Sequence, residues 1–377
     1  MKKILISSTD VMMYLFLMPH VKILSENYII DVACSSADEY KSEHYEKAIR
    51  DQLSKNSKYF HISSRRSPYS ISNINGYKEL KSIISIGNYD LVWTNEPVMS
   101  VITRLAANKF RKNGLQVMYL CHGYHFFKGA PLINWIYYPI EKFCSYLTDY
   151  MIMINLEDFN FTKKKFHNTV FHIDGIGFDL SKYNNVSVDY NSKRKEIGVK
   201  PDEVLVLSVG ELIPRKNHRV IIKAIAALNN PKIRYVICGI GNELQYLKKI
   251  ARDYKVSNKI NFVGLRYDIS EILKVSDIFV HPSKGEGLGV ACLEAMSSGL
   301  PIITSNIQGI KDYSIDNVTG FSLNPNDVNG FSLAIKKLVN DPILRKEIGK
   351  RNIDRVKKWS LENSTSQIKN IIKRIIY

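Results

Sequence analysis

The sequence predicts an α/β protein made of two doubly wound, Rossmann-like domains. Three observations predict it. Short β-branched and aromatic runs alternate with helical segments along the chain, the pattern of parallel sheets. A length of 377 residues suits two domains of ordinary size. A flexible stretch, Gly175–Ile176–Gly177–Phe178–Asp179, divides two such series and runs into polar, Asn- and Ser-rich residues 181–194. The expected domains are therefore 1–178 and 179–355, with 356–377 as a terminal helix.

The first half opens with a strand at Lys2–Ser8, an apolar segment at Val11–Leu24 and a second strand at Tyr28–Ser35. This β-α-β opening implies a parallel sheet. Ser7, Ser8 and Thr9 stand where a glycine-rich phosphate loop would follow the first strand, so nucleotide binding is not assigned to this half. Residues 41–81 hold nine Lys or Arg against four acids, with Arg65–Arg66 before Pro68. Such a window is a solvated face or a lip facing an acceptor or a membrane.

Further strands are expected at Asp90–Thr94 and Gln116–Cys121, the second delivering His122–Gly123–Tyr124–His125–Phe126–Phe127. Ligands of open α/β sheets sit at the carboxyl ends of strands. His122 comes first after the strand and precedes a glycine, so its ring can point into a cleft. Leu132–Leu147, dense in Trp and Tyr with Lys142, reads equally as an interfacial helix or a core helix. A strand at Tyr150–Ile154, a basic helix at Phe159–Phe166 and a last strand ending at Ile173 complete this half.

Strands at Glu203–Val209, Ile233–Cys238 and Lys259–Val263 start the second sheet. Gly210 to Asn217 follows the first of these and opens a helix, Arg219–Leu228. Lys216, beside that helix start, suits a diphosphate as a mobile point charge. Gly239–Ile240–Gly241 begins a dinucleotide fingerprint, but Leu244 replaces its last glycine and no acid ends a following strand. NAD binding is not expected on that ground.

The densest chemistry lies in DIFVHPSKGEGLGVACLEAMSSGLPIITS, residues 277–305. It reads as strand Asp277–Pro282, a turn with three glycines, helix Val290–Ser298 and strand Ile302–Ser305. Glu286 stands in the turn and Glu294 in the helix, between Ala291–Cys292–Leu293 and Ala295–Met296. The helix N-terminus between them offers free N–H groups and a positive dipole end. An anionic diphosphate fits there, with a carboxylate on each side to grip hydroxyls, which is the layout of a nucleotide sugar.

Lys and Arg outnumber Asp and Glu by 53 to 36, and the excess is spread along the chain. A diffuse excess without an aromatic-interleaved basic motif argues against nucleic acid and for an anionic membrane or phosphorylated substrates. The five cysteines are widely spaced among apolar residues, so reduced core thiols are expected and a zinc site is not. MKKILISSTD is too short and strand-like for a signal peptide, and no run of about 18 apolar residues could span a membrane.

The pattern HPS..EG.G...LEAM..G.P.I, carried by His281 to Ile303, resembles the E-x7-E element of the retaining glycosyltransferases of family 4. HGYHFFKGAP, from His122, resembles a loop in members that build capsule and O-antigen on lipid carriers. The resemblance implies the GT-B fold, two domains facing a cleft with the last helix crossing back to the N-terminal domain. It implies a UDP-sugar donor, transfer of a hexose or N-acetylhexosamine with retention, and no metal or other cofactor. By it, Glu294 binds ribose, and Lys216 with the amides of Gly287, Leu288, Gly289 and Val290 binds the diphosphate. Glu286 takes sugar hydroxyls, His122 contacts donor phosphate and sugar, and the backbone of Leu265–Arg266 reads the base.

The family's G-R-L-x-x-x-K-G is matched at Gly210 and Lys216, but Glu211 replaces the arginine, leaving Arg215 as a candidate for the second cation. Asp316–Phe321 resembles the family's hairpin near the end of the site. The expected acceptor is a saccharide on undecaprenyl diphosphate, met by a cytoplasmic protein lying peripherally on the inner face of the bacterial cytoplasmic membrane. The alternative is a UDP-sugar epimerase of the same fold.

Overall fold

The computed structural model describes residues 1–36 and 42–376; Lys41 of the basic window and Tyr377 of the tail lie outside the described residues. The chain forms two compact units, Met1–Gly177 with Leu361–Tyr377, and Phe178–Ser360.

The first unit carries seven parallel strands: β1 (Lys3–Thr9), β2 (Ile29–Ser35), β3 (Tyr59–Ile62), β4 (Leu91–Asn95), β5 (Gln116–Cys121), β6 (Tyr150–Met153) and β7 (Thr169–His172). Their order is β3-β2-β1-β4-β5-β6-β7. β1 lies between β2 and β4, with Ile4 opposite both Ile30 and Leu91. Ile4, Leu5 and Ile6 are all fully buried, because helices cover both faces of a parallel sheet and leave no solvent face to alternate with. The short edge strand β3 has no counterpart in the sequence reading. It is only four residues long, and only its last residue is buried.

The second unit has six parallel strands, β8 (Val204–Val209), β9 (Ile233–Cys238), β10 (Ile260–Gly264), β11 (Ile278–His281), β12 (Ile302–Ser305) and β13 (Gly320–Leu323), in the order β10-β9-β8-β11-β12-β13. In each unit the strand order reverses beside the first strand, between β1 and β4 and between β8 and β11. Connections leave in opposite directions there and open a crevice at the strand ends. The segment expected as a hairpin at 316–321 is instead a tight turn with Asn317 at φ 58°, and it feeds β13 into parallel pairing with β12.

Six helices matter below: α1 (Met18–Leu24), α2 (Pro97–Ala107), α3 (Tyr137–Ser145), α4 (His218–Leu228), α5 (Val290–Ser297) and α6 (Leu361–Ile375). Residues 132–147 are not a core helix. A 3-10 turn, Leu132–Ile136, leads into α3, and Leu132, Ile133, Ile136, Ile140 and Phe143 are all exposed. Only the opposite face, with Glu141, Cys144 and Ser145, is buried.

The tail divides later than its sequence suggests. Trp359 stays in the second unit, edge-on to Tyr313, and Ser360 pairs with Phe178. Helix α6 then belongs to the first unit, where it buries Ile368, Ile371 and Ile372. Its polar ties are specific: Ser364 donates to the Gly175 carbonyl at 2.9 Å, and Gln367 exchanges two hydrogen bonds with Asp174. His20 on α1 completes the joint, with Nε2 2.7 Å from the Ile176 carbonyl and Nδ1 2.8 Å from the Thr365 hydroxyl. A carbonyl only accepts, so Nε2 carries the proton; the Thr365 hydroxyl beside Nδ1 donates to the Leu361 carbonyl at 2.7 Å. All five cysteines are buried and free.

Burial lowers the His20 pKa to about 4, outweighing its bond to Ile176. The folded ring therefore stays neutral down to that pH, whereas the unfolded ring takes up a proton near its ordinary value. Stability is full above about pH 6.5 and is lost as the pH falls toward 4. Between pH 7 and 5 His20 alone should cost on the order of 2 kcal/mol. Urea unfolding at the two pH values should show that loss, and His20→Gln should shrink it.

Candidate functional site

The crevice between β8 and β11 gathers most of the expected site residues, because the loops after these two strands meet there. Pro214–Lys216 forms a single 3-10 turn, and Asn217 then adopts a left-handed conformation at φ 56°. The Asn217 amide donates to the Pro282 carbonyl at 3.1 Å and to the Pro325 carbonyl at 2.7 Å. This fastens the loop that precedes α4 to the loop that follows β11. Lys284 N–H bonds the Arg215 carbonyl at 2.8 Å, and Arg215 Nη1 returns to the Gly285 carbonyl at 2.7 Å.

Glu286 lies at the centre of this lacing and is 9% exposed. Lys216 Nζ at 2.5 Å, Ser283 Oγ at 2.8 Å, Arg215 Nη1 at 3.0 Å and His281 Nε2 at 3.2 Å surround it. All four reach one oxygen, Oε1; Oε2 takes part in none of these contacts. Burial works to raise the carboxyl pKa, but the His281 bond and the charges of Lys216 and Arg215 hold it well below the usual carboxylate range. His281 is itself pushed down by burial, against the pull of Glu286. The carboxylate is thus ionised, and the two cations neutralise it.

Gly289 lets α5 begin straight after this turn. Its φ is 78°, and a Cβ would stand 2.9 Å from the Tyr313 hydroxyl. Tyr313 donates toward the Leu288 carbonyl at 2.8 Å, which fixes the peptides of Gly287, Leu288 and Gly289 just before Val290. The positive end of α5 therefore opens beside Glu286 and its cations. Glu294 sits within α5, half-buried, and its Oε1 accepts the Tyr183 hydroxyl at 2.6 Å. Burial raises its pKa, against the lowering effect of that bond. Part of the hydrogen bonding that the sequence reading left to a ligand is therefore met by Tyr183.

Other expected residues divide. Gly210 follows β8 and lies beside Lys216, while Glu211 is exposed and makes no pair with it. Arg215, the candidate second cation, does reach the same carboxylate as Lys216. Leu265 is exposed after β10, but the Arg266 guanidinium is held by Glu196 and Asp268, in a network that Lys193 extends. Only its backbone is available to a ligand. Gly239 explains the incomplete dinucleotide fingerprint: a Cβ there would lie 1.9 Å from the Gly210 carbonyl, so the glycine serves close packing of two loops.

His122 belongs to the first unit, at the end of β5, with Nε2 3.3 Å from Asn95 Oδ1. Burial, with a small contribution from His20, lowers its pKa to about 4, so the ring is neutral at pH 7. Nearby stands Glu96, which the sequence reading missed. It is a non-glycine residue at φ 63°, ψ 146°, a strained conformation of the kind that clusters at functional sites. Its carboxylate accepts from Thr9 N–H at 2.6 Å, Thr9 Oγ1 at 2.9 Å and Ser8 Oγ at 3.0 Å. Ser8 and Thr9, noted only for what they are not, are thus its anchors. No local pattern announces this tie, nor that of Tyr183 to Glu294, since the partners lie far apart in the chain. His281 and Ser283 were legible as part of a motif but not as partners of Glu286. Among the described residues no cluster of three His, Cys, Asp or Glu could hold a metal ion.

A family model described as glycosyl transferases group 1 matches residues 189–355. The chain is 32% identical to EpsD of Bacillus subtilis, over 83% of this chain and 84% of that one. It is also 32% identical to the UDP-Gal:alpha-D-GlcNAc-diphosphoundecaprenol alpha-1,3-galactosyltransferase of Escherichia coli, over 72% of this chain and 73% of that one. The chain belongs to the group 1, family 4, glycosyltransferases. Its fold is GT-B: Anabaena HepE in complex with UDP superposes with a TM-score of 0.81, at 17% identity, over 99% of this chain and 100% of HepE. WaaG, a glycosyltransferase involved in lipopolysaccharide biosynthesis, does so with a TM-score of 0.71, at 15% identity, over 98% of this chain and 99% of WaaG. This glycosyltransferase uses a nucleotide sugar, and the motifs of its second unit lie within the residues of the family match.

The ion cluster makes a direct prediction. Lys216→Met leaves Glu286 buried with one cation fewer and should destabilise the second unit by about 3 kcal/mol at neutral pH. The gap to wild type should narrow on acidification, as protonation removes the uncompensated charge, and Glu286→Gln in the same background should restore much of it. Denaturant titrations of the three proteins check this.

Proposed function

We propose that this glycosyltransferase moves a hexose or N-acetylhexosamine from a UDP-sugar to a saccharide on undecaprenyl diphosphate, with retention, in bacterial surface polysaccharide synthesis. The observation that carries the donor half is the Glu286 cluster at the opening of α5, with Glu294 further along the same helix. In the free protein Glu286 Oε1 is the anion for Lys216 and Arg215. A diphosphate offers these cations a second anion, and the peptides of Gly287 to Val290 offer it N–H donors. Glu286 Oε2 is then available to sugar hydroxyls, Glu294 to the ribose diol, and the backbone of Leu265–Arg266 to the base.

The bond from the anomeric carbon to the diphosphate breaks as the acceptor oxygen bonds that carbon on the same face. The acceptor proton passes to the departing phosphate oxygen, giving UDP and the extended saccharide. Lys216, Arg215 and the amides stabilise the charge that gathers on the leaving group. His122, neutral at pH 7, acts as a hydrogen-bonding stabiliser rather than a base. The relative from Escherichia coli, whose name states a UDP-sugar donor and a diphosphoundecaprenol acceptor, supports this choice of substrates.

The acceptor half assigns the first unit to the membrane-facing role, on the inner face of the cytoplasmic membrane. The support is the exposed apolar face of 132–143, the exposed Arg65 and Arg66, and a formal net charge of +17. Among the described residues no helix is long and apolar enough to cross a membrane. Basic residues near an anionic surface each contribute about 1 kcal/mol, and apolar insertion adds attraction that salt does not screen.

Incubation with labelled UDP-sugars and bacterial membranes should place label in the lipid fraction; label recovered only as an epimerised free UDP-sugar would overturn the transferase reading. Glu294→Gln should lower UDP affinity at least about tenfold by calorimetry, since it removes charge-assisted bonds. Lys216→Ala should weaken UDP far more than uridine, which carries no phosphate. In sedimentation with anionic vesicles the protein should bind at low salt and be released only partly at high salt, and Arg65→Glu with Arg66→Glu should reduce that binding.

A further inference from the structure

The first unit contains a cavity of about 470 Å³ that none of the donor chemistry uses. Its size is that of a small-molecule site. Its lining is divided by element. Thr9, Ser35, Ser64 and Asn73, with Arg65 and Arg66, come from the ends of β1 and β2 and the segment after β3. Val98, Val101 and Ile102 come from α2, and Phe126, Tyr137 and Ile140 from the segment that follows β5. One side is polar, carrying the two arginines together with the Glu96 carboxylate; the other is apolar.

Three further observations narrow the ligand. Arg66 is tethered at the polar side, with Nη2 3.4 Å from Thr9 Oγ1 and 3.5 Å from Glu96 Oε1, yet its side chain is 57% exposed. The strained Glu96 thus orients a cation that still has donors to give. The charged pair that borders the cavity compensates itself: Glu141 takes two Arg104 donors at 3.0 Å, and that guanidinium lies 4.4 Å over the Tyr119 ring. It asks for no ligand charge. Tyr137 and Ile140 line the cavity and are also exposed, on the same segment as exposed Leu132, Ile133, Ile136 and Phe143. The apolar side of the cavity is therefore continuous with the exposed apolar face.

We propose that this cavity seats the head of the carrier lipid, its diphosphate on Arg65–Arg66 and its first isoprene units against Val98, Val101, Ile102 and Phe126. The proposal rests on the lipid-linked acceptor named above and specifies where that lipid is gripped. A saccharide suits the site less well, because hydroxyls turned to the apolar side would lose hydrogen bonds. A plain anion suits it less well too, because the apolar side would stay unused. An isoprenyl diphosphate matches both, by arginine–phosphate bonds and by apolar burial. The exposed face lets the chain pass from a bilayer into the cavity without crossing polar surface.

The probe is farnesyl diphosphate, a short isoprenyl diphosphate, titrated calorimetrically with UDP in excess to occupy the donor site. It should bind at least about tenfold tighter than inorganic diphosphate or farnesol. Val101→Trp, which fills the cavity, should weaken farnesyl diphosphate about tenfold or more while leaving inorganic diphosphate unaffected. Arg66→Glu should weaken both. Val98→Trp, nearer the helix start, serves if Val101→Trp lowers the melting temperature. Farnesyl diphosphate binding no tighter than inorganic diphosphate, or indifferent to a folded cavity-filling variant, would overturn the proposal. So would binding to anionic vesicles without binding to farnesyl diphosphate, which would leave the apolar face a membrane contact only. A UDP titration of the same preparation separates the two readings. UDP binding without farnesyl diphosphate binding sinks the cavity assignment alone. Farnesyl diphosphate binding without UDP binding sinks the donor reading and leaves the cavity standing.

Discussion

The second unit is organised around one buried oxygen, Oε1 of Glu286. A carboxylate at this burial must be compensated, and here two cations, a histidine and a serine converge on it. Satisfying it forces the loop after β8 and the loop after β11 together, and Asn217 locks them. The consequence is chemical as well as structural. The same lysine and arginine that neutralise the protein's own anion stand ready beside a helix N-terminus. Without Glu286 these two cations would face each other with no anion between them.

The sheet topology explains why this happens where it does. In both units the strand order reverses at the first strand, so loops diverge at that point and leave room at the strand ends. The second unit fills the room with glycine turns, cations and the start of α5. The first unit fills it with Ser8, Thr9 and a strained glutamate, and it places a cavity with one polar and one apolar side there. Two crevices of the same geometric origin thus carry different chemistry, one built around a buried carboxylate and its cations and one lined partly by polar and partly by apolar side chains.

The joint between α6 and the first unit includes one buried imidazole alongside the Ser364 and Gln367 bonds. His20 bonds the Ile176 carbonyl, just before the chain crosses to the second unit, and Thr365, just after it returns. Both crossings are pinned within a few residues of each other in the first unit. Burial is what keeps this ring neutral, so acid, which charges the unfolded ring first, works against the joint.

The sequence by itself determined the fold class, most strands of both sheets to within a residue or two, and the family motif from His281 to Ile303. These are properties of local pattern: strands buried on both faces read as apolar runs, and glycines and helix formers punctuate a strand–turn–helix unit. It did not reveal β3, a short strand with only its last residue buried, nor β13, which reads as part of a hairpin, and it left 132–147 open between core and surface. Only the tertiary structure decided that this segment turns its apolar residues outward, because exposure is a property of what packs beside a helix. Only the tertiary structure also paired Glu294 with Tyr183, Glu96 with Thr9 and His20 with Thr365. Each pair joins residues distant in the chain, and a hydrogen bond of that kind leaves no trace in spacing or composition. Residue types and local periodicity thus determined what chemistry was on hand; the folding of distant segments onto one another decided which groups were already satisfied and which remained for a ligand.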